Sequence, residues 1–180
     1  MLSSKISEIS KISIIGAPAV GKTTMLKLLS KNPIDKIYIP TQGFDLKTVK
    51  YDNCNLRVWD FGGQKSYLKY LEDYLLGSDI VFIVTDSTPR NVLNSKKLID
   101  TAQKIVENDC PIIAIANKQD LCNDHEDNGR MRQELVENIL QVKTYGLTAI
   151  NPLERDNLLE IIKKELNQVF IRRRLKEIEL

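Results

Sequence analysis

Apolar positions come in short blocks along the chain, and their period alternates between strand-like and helix-like. Lys11 to Ile15 is a compact run with Ile12, Ile14 and Ile15, and beyond the next loop Met25, Leu26, Leu28 and Leu29 recur at helical spacing within Thr24 to Ser30. Phe44 to Tyr51 alternates between two faces, Asp52-Asn53 supplies turn chemistry, and Leu56 to Asp60 is apolar again, which predicts a β-hairpin. Tyr67 to Leu76 has a helical pattern whose tyrosines would leave its exposed face aromatic. Ile80 to Val84 and Ile112 to Ala116 are runs of the buried parallel-strand type, separated by a helix through Leu98, Ile99, Ala102, Ile105 and Val106. A helix over Arg130 to Leu140, a short strand over Val142 to Leu147 and a long helix over Asp156 to Phe170, burying Leu158, Leu159, Ile162, Leu166, Val169 and Phe170, complete the alternation. The pattern predicts a three-layer, doubly wound α/β fold. Its six-stranded sheet would be mainly parallel with one antiparallel edge strand, and ligand would bind at the carboxyl ends of the strands.

Composition changes this picture little. The 180 residues suit one globular unit, and a formal charge of +2 gives no reason to expect nucleic acid as a partner. Cys54, Cys110 and Cys122 lack metal-ligand or redox-pair spacing and fit reduced thiols of a cytoplasmic protein. The single histidine, His125, lies in a polar stretch and reads as a surface residue. No run approaches the length of a membrane span. Leu2, Ile6 and Ile9 form a weak apolar stripe in residues 1–10, a leader that could be amphipathic. Residues 11–170 form the body, and 171–180 a basic helix end in which Arg172, Arg173 and Arg174 read as a solvated cap.

The chemistry begins at Gly16-Ala17-Pro18-Ala19-Val20-Gly21-Lys22-Thr23, which fits G-x-x-x-x-G-K-[ST] between a strand and a helix. Glycines let such a loop wrap closely around phosphate oxygens, so the N–H groups of Ala19, Val20, Gly21, Lys22, Thr23 and Thr24 can face the negative charge. The Lys22 ammonium suits the β and γ phosphates, and the Thr23 hydroxyl suits Mg2+. Asn117-Lys118-Gln119-Asp120 follows the strand Ile112 to Ala116. A carboxylate at Asp120 can accept from the N1–H and exocyclic amine of guanine, an edge on which adenine has no amine. Asn117 can tie this loop to the phosphate loop, and the aliphatic stem of Lys118 can cover the base.

Together with Trp59-Asp60-Phe61-Gly62-Gly63-Gln64 and Pro40-Thr41-Gln42-Gly43-Phe44, these motifs resemble the Ras-like P-loop small GTPases, and within them the Arf and Arf-like family, over about Lys11 to Phe170. The resemblance implies a GTP/GDP switch using Mg2+ that hydrolyses GTP slowly without an activating protein. It implies that Thr41 brings a hydroxyl to the metal and an N–H to the γ-phosphate, that Asp60 holds the metal through water, and that the Gly63 N–H meets the γ-phosphate. It makes Gln64 the residue that orients the attacking water, and Ala149, in Thr148-Ala149, the donor to the base oxygen. Phe44, Trp59 and Tyr74 match the aromatic positions through which the family meets effectors. An exchange factor and an activating protein are further implied partners. A monomeric, cytoplasmic protein with weak peripheral membrane contact is the accompanying expectation.

Three departures from the family pattern stand out. Pro18 removes an N–H beside the reacting phosphate, Leu2 replaces the glycine that acylation needs, and Lys176 to Leu180 contains no cysteine for prenylation. A module that holds GTP as a structural ligand with little turnover is the alternative. An ATP-dependent kinase or ATPase would leave Asn117 and Asp120 without a role.

Overall fold

The computed structural model describes residues 9–34, 41–51, 54–62, 69–122 and 129–178. The leader before Ile9, the Asp52-Asn53 turn, Gly63, Gln64, Tyr67 and His125 lie outside these residues. Six strands form one sheet: β1 (Ile9–Gly16), β2 (Phe44–Tyr51), β3 (Cys54–Phe61), β4 (Ile80–Thr85), β5 (Ile112–Asn117) and β6 (Thr144–Leu147), in the order β2-β3-β1-β4-β5-β6. β1 pairs in parallel with β3 and β4, and β5 pairs in parallel with β4 and β6. β2 alone runs antiparallel, at one edge, in register Phe44↔Phe61 to Tyr51↔Cys54. This is the mainly parallel sheet with one antiparallel edge strand that the periodicity predicts.

Helices α1 (Lys22–Ser30), α2 (Leu71–Leu75), α3 (Pro89–Ala102), α4 (Gln133–Leu140) and α5 (Glu154–Ile178) cover both faces. One core joins Ile12, Ile14, Phe82, Val84, Ile113 and Ile115 of the sheet to Met25 and Leu29 of α1 and Leu158, Leu159 and Ile162 of α5. The opposite core joins Ile15, Val81, Ile83 and Ala114 to Leu75, Val92, Ile99 and Val136 of α2, α3 and α4. Because β4 is buried at all six positions, its side chains fill both layers, which is why its sequence is continuously apolar rather than alternating.

Several boundaries differ from the sequence reading for identifiable reasons. Helix α4 starts at Gln133 rather than Arg130: Arg132 is extended at φ −63° and ψ 156°, while Met131 gives its N–H to the Ser87 carbonyl at 2.8 Å. The described helix in the tyrosine-rich stretch is only Leu71–Leu75, and Leu76 leaves it with ψ 133° ahead of Gly77. Its face is less aromatic than expected, since Tyr70 is exposed but Tyr74 is buried. Helix α5 reaches Ile178, and its arginines do not form a simple solvated cap. Arg173 donates from Nε to Asp109 Oδ2 and from Nη1 to Asp79 Oδ1, both at 2.6 Å. Asp79 Oδ2 in turn accepts the Lys11 N–H at 2.8 Å, so one guanidinium ties the end of α5 to the segments entering β4 and β5 and, through Asp79, to β1 itself. Glu165 is also buried on α5, accepting the Tyr145 hydroxyl at 2.7 Å and pairing with the Lys143 ammonium.

Candidate functional site

Loops at the carboxyl ends of β1, β4, β5 and β6 meet at one rim of the sheet, and the side chains that the sequence singles out collect there. The loop from Gly16 into α1 needs unusual backbone angles. Gly16 has φ 155° and Gly21 φ 103°, and a Cβ would sit 2.3 Å from the Val84 carbonyl oxygen at the first and 2.2 Å from Asn117 Nδ2 at the second. Glycine at both positions is therefore a packing requirement of the site as well as a conformational one. Ala19 adopts φ 62°, turning the loop so that Val20 is buried while Pro18 and Ala19 face solvent. Thr24 follows in the first turn of α1, half-buried.

Lys22 is buried, and its ammonium donates to the carbonyls of Gly16 at 3.1 Å and Ala17 at 2.8 Å. Desolvation pushes its pKa down to about 8, against a smaller opposing pull from the Asp60 carboxylate. A cation held this way is short of negative charge, which phosphate oxygens would supply.

Beside it, three oxygen-bearing side chains from separate segments converge. Thr23 donates its hydroxyl to Asp60 Oδ2, Thr41 reaches the same oxygen at 3.4 Å, and the two hydroxyl oxygens lie 2.7 Å apart. Asp60 is fully buried at the end of β3, and its Oδ1 has no hydrogen-bond partner among the described residues. Burial raises its pKa, opposed by the Thr23 hydroxyl, Lys22 and Thr41. A buried carboxylate with one oxygen unpaired and two hydroxyls at its side is a hard-oxygen donor set, suited to a cation that keeps several waters, as Mg2+ does. Among the described residues no three His, Cys, Asp or Glu side chains gather at metal-ligand spacing, so softer metal sites find no counterpart there.

The second half of the site is built around Asn117, buried at the end of β5. Its Nδ2 donates to the Val20 carbonyl at 2.9 Å and its Oδ1 accepts the Ala149 N–H at 3.0 Å, so one side chain joins the phosphate loop to the loop after β6. Lys118, at φ 62°, donates from Nζ to the Ala19 carbonyl at 2.9 Å and lies 3.9 Å from the Asp86 carboxylate. Asp120 stands exposed in a 3-10 turn over Gln119–Leu121.

Some members of this cluster escaped the sequence reading. Ser87 is buried after β4 and donates to the Asn117 carbonyl at 2.8 Å, while Gln119 Nε2 donates to Ser87 Oγ at 2.9 Å. Asp86 accepts from the Thr88 hydroxyl and from Asn91 Nδ2. Their signal was available: polar residues directly after a continuous apolar strand lie where open α/β sheets bind ligands. The aromatic trio is contiguous, with Phe44 and Trp59 ring centroids 5.3 Å apart and Trp59 edge-on to Tyr74 at 5.8 Å. Only Phe44 is strongly exposed, at 57%; Tyr74 is buried against Phe61. Gly63 and Gln64 lie outside the described residues.

Comparison with known proteins places this geometry in context. Residues 1–169 match the model of the ADP-ribosylation factor family. ADP-ribosylation factor-like protein 3 of Chlamydomonas reinhardtii is 39% identical over 114 residues, 62% of this chain and 64% of that protein. ADP-ribosylation factor-like protein 2 of Drosophila melanogaster is 37% identical over 113 residues, covering 62% of this chain and 61% of the relative. The ADP-ribosylation factor of Encephalitozoon cuniculi (strain GB-M1) is 31% identical over 129 residues, 71% of this chain and 59% of its own length. The chain thus spans about three fifths of the length of the curated relatives it matches.

Proposed function

This chain belongs to the ADP-ribosylation factor family of small GTPases, and from that premise we propose that it is a Mg2+-dependent GTP/GDP switch, hydrolysing GTP to GDP and phosphate and recruiting effectors in the GTP state. The observation that carries the reading is Asn117, whose amide joins the Lys22 loop to the Ala149 loop, so that the buried cation and the segment carrying Asp120 belong to one rim.

In this reading the N–H groups of Ala19 to Thr24 and the Lys22 ammonium hold the phosphates. Asp120 accepts from the guanine edge, Lys118 covers the ring, and the Ala149 N–H, which meets Asn117 Oδ1 at 3.0 Å in this structure, would be shared with the base oxygen. Thr23, Thr41 and Asp60 are the residues that would hold Mg2+, which supplies charge neutralisation on the phosphate oxygens. The proposed γ-phosphate contact of Thr41 is supported by its hydroxyl, which lies against both Thr23 and Asp60 just ahead of β2. Gly63 and Gln64 take the γ-phosphate contact and the water-orienting role by family membership. Catalysis of this kind is positioning and electrostatics, with no covalent intermediate.

Residues 11–170 form the GTPase unit of this reading, with 1–10 as a leader and 171–180 as a basic helix end. Exchange factor, activating protein and effectors are the partners proposed, with Phe44 as the exposed member of the aromatic surface and Trp59 half-buried beside it. A cytoplasmic location with weak peripheral membrane contact is proposed on family grounds; no helix among the described residues is long and apolar enough to cross a membrane.

Single-turnover hydrolysis of GTP by the native chain and by Gln64→Leu tests the catalytic half. A loss of about tenfold or more in rate is expected, since positioning of the water contributes to the transition state alone. Equal rates would favour the reading in which GTP is a structural ligand.

A further inference from the structure

Two glutamines behind the base end of the rim form a connected set of hydrogen bonds that the proposed switch does not use directly. Gln133 is the first residue of α4, and its side chain turns to β6, the edge strand of the sheet. Its Nε2 donates to the Thr144 carbonyl at 2.9 Å, and its Oε1 accepts the Gly146 N–H at 3.0 Å. Lys143 gives its carbonyl to the Ala114 N–H of β5, so by the alternation of a strand the N–H and C=O groups of Thr144 and Gly146 point to the open side. A residue of a parallel neighbouring strand would donate to one carbonyl and accept from the N–H two residues on. The Gln133 amide does the same, acting as one residue of a missing seventh strand. Gly146 fits this arrangement because a Cβ there would stand 3.0 Å from Gln133 Oε1 and 3.4 Å from Gln119 Cγ.

Gln119 completes the set from the other side. Its Oε1 accepts the Gln133 N–H at 3.1 Å, satisfying a free donor at the start of α4, and its Nε2 donates to Ser87 Oγ at 2.9 Å and to the Met131 carbonyl at 3.3 Å. Ser87 Oγ passes the chain of bonds to the Asn117 carbonyl at 2.8 Å. One end of the network therefore adjoins Asp120. The other ends on the strand that runs through Leu147 into Thr148 and Ala149. The two segments assigned to the base are joined twice, by Asn117 and by the Gln119–Gln133 pair.

Building on the proposed guanine-nucleotide site, we propose that Gln119 and Gln133 are positioning residues that act as one brace, holding the Asn117–Asp120 and Thr148–Ala149 loops at a fixed separation and so setting nucleotide residence time and purine selectivity. Neither side chain is assigned a contact with nucleotide. Both act through the backbone they hold, and because every polar atom in the set has its partner, loss of one member strands others.

The test uses the full chain loaded with a fluorescent GDP analogue, measuring dissociation with Mg2+ present, alongside the ratio of affinities for GDP and for IDP, which lacks the exocyclic amine. Gln133→Met and Gln119→Met keep side-chain length while removing the bonds. Each is expected to speed GDP release about tenfold and to narrow the GDP-over-IDP ratio several-fold. The double variant should exceed the faster single variant by less than twofold, since the brace is already broken. Gly146→Ala, which presses on the Gln133 amide and the Gln119 stem from the strand side, gives a second route should a methionine variant fail to fold. Release rates within twofold of native, or variants whose melting temperature falls while the GDP-over-IDP ratio holds, would overturn the brace alone. A native chain that takes up no guanine nucleotide would overturn the site reading as well, so the two failures are told apart by the native sample.

Discussion

At Gly21 two demands coincide: a positive φ that glycine meets without strain, and a gap of 2.2 Å between a virtual Cβ and the amide of Asn117. Gly21→Ala is therefore expected to displace Asn117 from the Val20 carbonyl and to weaken nucleotide binding at least tenfold, measured by titration with GDP and Mg2+. Lys22→Met removes a buried cation while keeping the length of the stem. With a charge-assisted phosphate contact worth about 1.5–3 kcal/mol, the loss in GTP affinity is expected to be about 10- to 100-fold. The variant should also melt no lower than native when nucleotide is absent, because burial of the charged lysine already disfavours the empty protein. The sign follows from its lowered pKa. Below about 8 the folded state keeps a proton at a cost, and as pH rises from there toward the ordinary lysine value the cost is relieved, so the empty native chain gains stability over that range. Much of this was legible in sequence, since a phosphate loop is defined by residue types that only its chemistry needs. Ser87 and Gln119 were less so, because a serine and a glutamine carry no distinctive pattern until the fold brings them to Asn117.

At the scale of elements, the sheet follows from its pattern of side chains. β4 and β5 are buried on both faces and read as unbroken apolar runs, whereas β2 lies at an edge and alternates, exposing Phe44, Leu46, Thr48 and Lys50. Phe82, fully buried in β4 and packed toward α1 and α5, is expected to cost about 3–5 kcal/mol on replacement by alanine, read from denaturant unfolding. The end of α5 was harder to read. Three consecutive arginines look like a solvated cap, and only the fold shows that Arg173 points back to Asp79 and Asp109. Helical periodicity cannot single out one arginine of three when its partners are 94 and 64 residues away in sequence. Because Arg173 is partly exposed, Arg173→Ala is expected to cost only about 1–2 kcal/mol, again from unfolding in denaturant. The Arg173 hydrogen bond holds the Asp109 carboxyl below the usual carboxylate range. Its stabilising contribution is thus complete above the unfolded-state value near 4 and is lost as pH falls through the lower folded-state value. Asp109→Asn should accordingly lower the melting temperature at neutral pH and make progressively less difference in acid.

For the molecule as a whole, the proposed binding rim draws on segments spread from Gly16 to Ala149, so ligand should stabilise the entire domain cooperatively. Saturating nucleotide at about 100 times its dissociation constant adds about 2.7 kcal/mol, a shift in melting temperature that calorimetry resolves readily. Mg2+ should enlarge that shift, and Asp60→Ala should remove the enlargement. The architecture could be anticipated because each element's period agrees with its place in the layers; the connections between loops could not, since hydrogen bonds such as Asn117 to Val20 and to Ala149 exist only once distant strand ends are adjacent. The most direct measurement is base preference. Affinities of the native chain and of Asp120→Asn for GDP, XDP and ADP, taken side by side with Mg2+, should show GDP preferred by the native protein and XDP by the variant. An unchanged order in the variant, or a native chain that prefers ADP, would contradict the account.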